Sequence, residues 1–367
     1  MDSKKYKDLT ILIGRFSPFH NGHAEVLKRA KQTSKAVLVL VGSSGQARTT
    51  KNPFTFEERK AMIENYAWAG HNDGIVRVLP LYDHPYNDSA WIRGVQEAVD
   101  QTKNELVDII GLNPTVYLTG SDRDKSTWYL KTFGDLFIPD FVDSHPVGFE
   151  LSATKVREWV FNQSCDHITI RANFDNIIDS VPSTTVELLE GFKLTREFEQ
   201  LVKEYEFIQK YKRAWKAAPY APIFSTVDNV VIQSGHVLVN VRDDYPGVGL
   251  WALPGGFLEQ DETLLQGAIR ELIEETSISL SKAQLLGSVR SKEIFDHPDR
   301  SLRGRTITTA FLLKLDDSKP LPKVKPQKGE VQKVMWLKIN EALKHPENWF
   351  EDHYHILQTM YNRITQS

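Results

Sequence analysis

The sequence predicts two regions of different class: an α/β region built on a parallel sheet, then an α+β region. Three observations predict this. Buried strand-like runs alternate with helix-like stretches through the first half. A charged helical stretch then ends at AAPYAP, where Pro219 and Pro222 forbid continuation. Beyond it, short β-branched runs dominate and only two helices interrupt them.

The elements follow in order. Thr10–Ile13 reads as a strand and about His23–Thr33 as a helix; Ala36–Gly42 (AVLVLVG) is a second buried strand. Phe56–Trp68 reads as helix, Ile75–Leu81 as strand, Trp91–Leu106 as helix and Thr115–Thr119 as strand. Such alternation puts helices on both faces of a parallel sheet, with ligands bound outside the carboxyl ends of the strands. The texture changes near Val186. Leu194, Phe198, Leu201, Tyr205, Ile208, Tyr211 and Trp215 recur at spacings of three and four, which is one amphipathic helix with Thr195 placed to cap it. From Ala221, Thr226–Ile232, His236–Val241, Thr306–Leu315 and Val331–Leu337 read as strands, with helices near Thr263–Glu275 and Tyr354–Arg363. Lys319–Lys328 reads as a solvated loop. The expected domains are residues 1–185, a helical connector over 186–220, and 221–367.

Composition excludes several classes. The chain has 367 residues, enough to bury a core without disulfides, and is 41% hydrophobic and 25% charged, which argues against a disordered chain. Lys and Arg number 45 against 48 Asp and Glu, so dedicated nucleic-acid binding is not expected. A single cysteine, Cys165, excludes an intrachain disulfide framework and a cysteine-rich metal site. The polar start MDSKKYKDL and the short apolar runs predict no targeting segment, no membrane span and a cytoplasmic protein. Oligomeric state is left open.

The first chemical constellation is Gly14-Arg15-Phe16-Ser17-Pro18-Phe19-His20-Asn21-Gly22-His23, between a strand and a helix. Gly14 allows tight chain passage and Gly22 close backbone approach. The helix N-terminus offers free amides and a positive dipole end to phosphate. His20 and His23, three residues apart, are spaced to converge on one anion there. A pair of polar surface histidines is the alternative, and zinc would need a third ligand.

The full string resembles the (H/T)xGH signature of the nucleotidyltransferase superfamily. Its GRFxPFHxGH form resembles the archaeal-like nicotinamide mononucleotide (NMN) adenylyltransferases. A second motif of that family, SxTxxR, is matched by Ser152-Ala153-Thr154-Lys155-Val156-Arg157. The resemblance covers about residues 8–185 and implies a Rossmann-like domain that transfers AMP from ATP to NMN, giving NAD. It implies Mg²⁺ as cofactor and His20, His23 and Arg157 as catalytic residues. Gly14, Arg15, Phe16, Ser152 and Thr154 would bind substrate. By position it adds Arg48 on phosphate, Trp91 on the nicotinamide ring, Asn87 or Asp88 on the carboxamide, and Gly120 and Asp124 near the adenosine. A solvated arginine, a core tryptophan and a surface acid are the alternatives for Arg48, Trp91 and Asp124. Phosphopantetheine or flavin mononucleotide are alternative acceptors within the superfamily.

The second constellation is GFLEQDETLLQGAIRELIEETSI, Gly256 to Ile278. On a helix Glu271, Glu274 and Glu275 share one face. Such carboxylates repel unless cations bridge them, and oxygen donors at this density suit Mg²⁺ or Mn²⁺. Arg270 is placed to orient the cluster. An acidic solvated face is the alternative. The spacing of Gly256, Glu262, Arg270-Glu271 and Glu274-Glu275 resembles the Nudix box. Ser277 departs from it by occupying the late glycine position, where a left-handed helix cap is expected. The resemblance implies an ADP-ribose pyrophosphatase domain, with Glu271, Glu274 and Glu275 as metal ligands, Glu274 also catalytic, and Glu330 as an added ligand or base. Arg300, Arg303 and Arg305 would bind a second phosphate or ribose, with a solvated basic loop as the alternative. The whole chain thus resembles the bifunctional NMN adenylyltransferase/Nudix hydrolases. A Nudix module that senses ADP-ribose without cleaving it is the alternative.

Overall fold

The computed structural model describes residues 6–69, 74–120, 129–134, 136–141, 152–162, 167–327 and 331–365. Two compact units emerge: Met1–Ser44 with Thr50–Val202, and Gly45–Thr49 with Lys203–Ser367.

Among the described residues the first unit holds five strands: β1 (Lys7–Gly14), β2 (Ser34–Ser44), β3 (Ile75–Tyr82), β4 (Val116–Gly120) and β5 (Ile138–Phe141). Their order is β3-β2-β1-β4-β5, and every pairing is parallel. The expected alternation is therefore present. A parallel strand covered on both faces needs an unbroken apolar run, and Ala36–Val41 of β2 is buried throughout. Ile11 of β1 lies opposite Leu38 of β2 and Leu118 of β4. These residues pack with Val95, Val99 and Phe133 in one core. Each large aliphatic side chain so buried contributes about 1.5–3 kcal/mol. The chain leaves β1 toward β2 and returns to β4 on the other side. The carboxyl end of β1 is therefore the switch point where such sheets bind ligands.

Three elements of this unit stand out as unread in the sequence. Strand β5 is four residues long and largely exposed, too short for a period to show. Helices His167–Ser180 and Ser183–Lys193 precede the amphipathic helix, the second of them running into the expected connector. The expected amphipathic helix spans Arg196–Ala214, and the Thr195 hydroxyl caps it by accepting from Phe198 N at 3.2 Å.

The second unit is a mixed sheet of β6 (Phe224–Gln233), β7 (His236–Arg242), β8 (Trp251–Ala252), β9 (Gly255–Phe257), β10 (Val289–Phe295), β11 (Thr306–Lys314) and β12 (Val331–Lys338). The main path runs β10-β11-β6-β7-β12, with β8 on β7 and β9 on β6. Among the described strands β6 and β11 pair in parallel and the other pairs are antiparallel. Val227, Val231 and Leu238 of the sheet pack on Ala268, Ile269 and Leu272 of helix Leu264–Thr276. That helix begins at a capping box in which Thr263 and Gln266 exchange hydrogen bonds. It ends at Ser277, whose φ of 42° and ψ of 39° are the expected left-handed cap. Strand β10 went unread because VRSKEIF ends the sheet and is mostly half-exposed or exposed.

The described part of Lys319–Lys328 is a largely exposed loop, as expected, and its backbone is tied to the acidic helix. Lys325 N donates to Thr276 O at 2.8 Å and Gln327 N to Glu275 O at 3.3 Å. Lys323 O accepts from Ser279 N, and Val324 packs on the core. The segment closes the carboxyl end of the acidic helix, satisfying its last carbonyls. Among the described residues no helix is long and apolar enough to cross a membrane.

Candidate active sites

At the end of β1 the chain turns sharply: Phe16 has a φ of 50° and the Ser17–Pro18 bond is cis. Helix Asn21–Thr33 then starts on a cap made by two histidines. Gly22 N donates to His20 Nδ1 at 3.2 Å, and His20 N donates to His23 Nδ1 at 3.3 Å. With both Nδ1 atoms accepting, each neutral ring carries its proton on Nε2. The rings stack with centroids 3.6 Å apart, so the fold brings His20 and His23 together.

The second motif reaches the same place from 140 residues along the chain. Ser152 caps helix Ala153–Phe161 by accepting from Lys155 N at 3.3 Å. Arg157 Nη1 donates to the Ser17 carbonyl at 2.7 Å, and Nη2 donates to Thr154 Oγ1 at 3.1 Å. Burial, with the charge of Arg15 nearby, pushes the Arg157 guanidinium down to about 10. Arg59 completes the frame from helix Phe56–Ala69. It is 1% exposed and donates to the carbonyls of Arg15 (2.8 Å), Gly42 (2.6 Å) and Ser43 (3.2 Å). It thus gathers the carboxyl ends of β1 and β2. Burial pushes it down to about 10 despite the opposing pull of Asp83. Arg15, Arg59, Arg157 and the two imidazoles make this a site built from donors, which suits polyphosphate.

In the second unit a cleft of about 560 Å³ is lined by Asp228, Asn240, Arg242, Gly255, Gly256, Glu275, Arg303, Phe350, Glu351 and His353, among others. Gly255 is required there by the backbone beside it, and Gly256 leaves room for the Glu271 carboxylate. A Cβ at Gly255 would lie 2.1 Å from Val227 O, and one at Gly256 would lie 2.5 Å from Glu271 Oε1. Arg270 organises the acidic helix as expected, donating to Glu262 at 2.6 Å and to Glu271 and Glu274 at 3.0 Å each. Glu262, held by that bond, lies below the usual carboxylate range.

Glu275 turns into the cleft. Its Oε2 accepts from Asn240 Nδ2 and from Gly255 N, both at 2.8 Å. Desolvation pushes its carboxyl up to about 8 against the pull of the Gly255 bond, and Glu271 and Asp228 add to the rise. Among the described residues no three acids stand close enough to hold a metal ion together, but the oxygen donors gathered around Glu275 suit a divalent cation. Its charge would relieve the mutual repulsion of Glu271, Glu275 and Asp228, and hard oxygen donors suit Mg²⁺ or Mn²⁺.

Two family models match the chain: a cytidylyltransferase-like domain over residues 11–159 and a NUDIX domain over 223–360. The chain is 33% identical to a bifunctional NMN adenylyltransferase/ADP-ribose pyrophosphatase from Francisella tularensis, solved with AMP and a manganese ion. The match covers 97% of this chain and 99% of that one, with a TM-score of 0.84. The chain belongs to this family. It is also 30% identical to a nicotinamide/nicotinic acid mononucleotide adenylyltransferase from Acinetobacter baylyi, over 54% of this chain and 93% of that protein. A third relative is an ADP-ribose pyrophosphatase from Methanocaldococcus jannaschii, 36% identical over 24% of this chain and 48% of that protein. Both families depend on a divalent metal.

The remaining family positions divide clearly. Gly120 ends β4, where a Cβ would meet Leu130 at 3.1 Å. Trp91 packs on the core near Phe133, and Asn87 caps its helix ahead of Asp88. Arg48 lies in the Gly45–Thr49 segment grouped with the second unit. Asp124, Cys165 and Glu330 lie outside the described residues. Glu274 does not line the cleft; its side chain is 48% exposed and tied to Arg270.

The three loop arginines have three fates. Arg300 lies buried in the cleft lining and forks onto Asp352 at 2.8 and 2.9 Å, which holds it firmly charged against desolvation. Arg303 lines the cleft over the Phe257 ring. Arg305 donates to the Asp296 carbonyl and does not line the cleft. Sequence reasoning missed Arg59, Asp228, Arg242, Glu351 and His353. Asp228 had a signal, an Asp-Asn pair inside the apolar run TVDNVVI. The others sit in unremarkable local sequence.

Proposed function

We propose that the chain transfers AMP from ATP to NMN, releasing NAD and pyrophosphate, and hydrolyses ADP-ribose to AMP and ribose 5-phosphate. The domains expected from sequence would carry these reactions in turn, residues 1–185 the transfer and 221–367 the hydrolysis, joined by 186–220. We place the protein in the cytoplasm. The observation that carries the reading is the joining of both nucleotidyltransferase motifs at one point, through Arg157 on Ser17 beside the stacked His20 and His23.

In adenylyl transfer a phosphate oxygen of NMN attacks the α-phosphorus of ATP. The bond from that phosphorus to the bridging oxygen breaks, and pyrophosphate leaves with the electron pair. No side-chain nucleophile is needed, so catalysis is positioning and charge stabilisation. His20 and His23 donate through Nε2, and Arg15 and Arg157 offer cationic donors. Ser152 and Thr154 frame the second helix start. Arg59 holds the carbonyls beneath them.

In hydrolysis, water adds to one phosphorus of the ADP-ribose diphosphate and the bridging P–O bond breaks. A bound Mg²⁺ or Mn²⁺ supplies an activated water and neutralises diphosphate charge. Glu271, Glu274 and Glu275 would hold it, and Arg270 orients them. Arg242 and Arg303 offer donors to the phosphates from across the cleft. The test is incubation with ADP-ribose and Mg²⁺, and separately with ATP and NMN, with products separated by chromatography. AMP with ribose 5-phosphate, and NAD with pyrophosphate, are expected. Tight ADP-ribose binding without cleavage would replace the hydrolase by a sensor.

A further inference from the structure

One acid of the cleft has an acceptor to spare. Asp228 accepts from Thr308 Oγ1 at 2.6 Å, and Glu275 accepts from Asn240 and Gly255. Glu351 is different. Its side chain is 6% exposed and lines the cleft, yet its Oε1 has no hydrogen-bond partner. Its Oε2 lies 3.9 Å from Arg303 Nη2, an ion pair beyond hydrogen-bond reach. Buried acceptors are satisfied in the great majority of folded proteins, so an unmatched carboxylate oxygen marks a place for an outside donor.

The backbone supports this. Glu351 has a φ of 47°, a left-handed conformation that glycine and asparagine adopt far more readily. Its neighbours fix the loop on both sides. Phe350 N donates to Trp251 O at 2.8 Å, and Asp352 forks with Arg300. The chain holds a glutamate where local conformation favours glycine, and aims it into the cleft.

The surroundings define the ligand chemistry. Arg303 and Arg242 have donors only and suit phosphate oxygens. The Arg242 guanidinium sits 4.1 Å from the Phe350 ring centroid and feels the charges of Arg303 and Glu351. A lone acceptor beside two such donors matches a group carrying both anionic oxygens and O–H donors, which is a sugar phosphate. We propose that Glu351 is a specificity-determining residue that accepts a hydrogen bond from a sugar hydroxyl of the diphosphate substrate. This rests on reading the cleft as an ADP-ribose site.

The test uses the full chain with Glu351→Gln and Glu351→Gly. Binding of ADP-ribose is measured by calorimetry with chelator present, and turnover with Mg²⁺. Two analogues separate the sugars: the methyl ester of ADP, which lacks the terminal ribose, and an ADP-ribose with a 2′,3′-dideoxyadenosine half. Expected is a rise of about 10-fold or more in Kd and KM for ADP-ribose in both variants, with kcat within about threefold. One analogue should bind the natural protein about as weakly as ADP-ribose binds the variants. That analogue identifies the sugar. Glu351→Gly should also raise Tm by about 2 °C, because the left-handed strain is relieved, a gain that a purely structural glutamate would not show. A collapse of kcat at unchanged KM, with loss of the acidic limb of the pH profile, would overturn the proposal and make Glu351 a general base. Unchanged Kd and kcat in both variants would overturn it as well. If the natural protein neither binds nor cleaves ADP-ribose, the reading of the cleft fails and the inference falls with it.

Discussion

The two units meet phosphate with opposite charge. At the end of β1, Arg15, Arg59 and Arg157 stand with His20 and His23, and burial, with the charge of Arg15 adding to it, lowers both other guanidiniums. In the second unit Asp228 and Glu275 line the cleft with Glu271 close by, and desolvation, with these charges adding to it, pushes the Glu275 carboxyl up to about 8. A site of cations can neutralise a polyphosphate by itself. A site of carboxylates can act on one only with a cation between them. On this reading the divalent metal arrives with ATP in the first unit and is held by the protein in the second.

Substitutions in the carboxylate wall should break this contrast hardest. Glu275→Gln removes the inward carboxylate while keeping its shape. Hydrolysis of ADP-ribose should fall by about 10²–10³-fold, with NAD synthesis unchanged. His23→Ala should do the reverse, lowering NAD formation by about 10²-fold with hydrolysis intact, as followed by steady-state assay of each product. Arg270→Lys sharpens the comparison within the acidic helix. It keeps the charge but cannot hold Glu262, Glu271 and Glu274 together. The Mg²⁺ concentration needed for half-maximal hydrolysis should rise about 10-fold.

Chelation exposes the carboxylate wall in a second way. Without metal, Glu275 stays protonated in the folded state up to about pH 8, whereas an unfolded glutamate ionises near 4.5. The folded state then binds more protons between those values, so stability falls as pH rises through the window. The Tm gain on adding Mg²⁺ should widen from pH 5 to pH 8, as read by calorimetry. A gain that is flat across that range would contradict an inward, desolvated Glu275. The smallest effect is expected at Ser277, whose left-handed cap costs roughly 1 kcal/mol relative to glycine. Ser277→Gly should raise the second unit's Tm by about 2–4 °C without changing either activity.

Much of this was legible in the sequence, for a physical reason. Both motifs are local: the His20–His23 cap and the Glu271–Glu275 face each lie within about one helical turn, so spacing alone places their side chains. The left-handed turn at Ser277 and the Thr195 cap follow from short-range backbone rules in the same way. What stayed hidden is non-local. Arg59 matters because three carbonyls from two strands converge on it. Glu351 matters because a loop far along the chain returns to the cleft. The buried pairing of Arg300, a cleft-lining residue, stayed hidden because Asp352, its partner, is 52 residues away. Charge pairs formed by the fold leave no trace in local spacing.

The most direct test assays both reactions on two folded single variants, His23→Ala and Glu275→Gln. The account predicts a double dissociation: the first loses NAD synthesis and keeps ADP-ribose cleavage, and the second does the opposite. Parallel loss of both activities in either folded variant would contradict two independent sites of opposite charge.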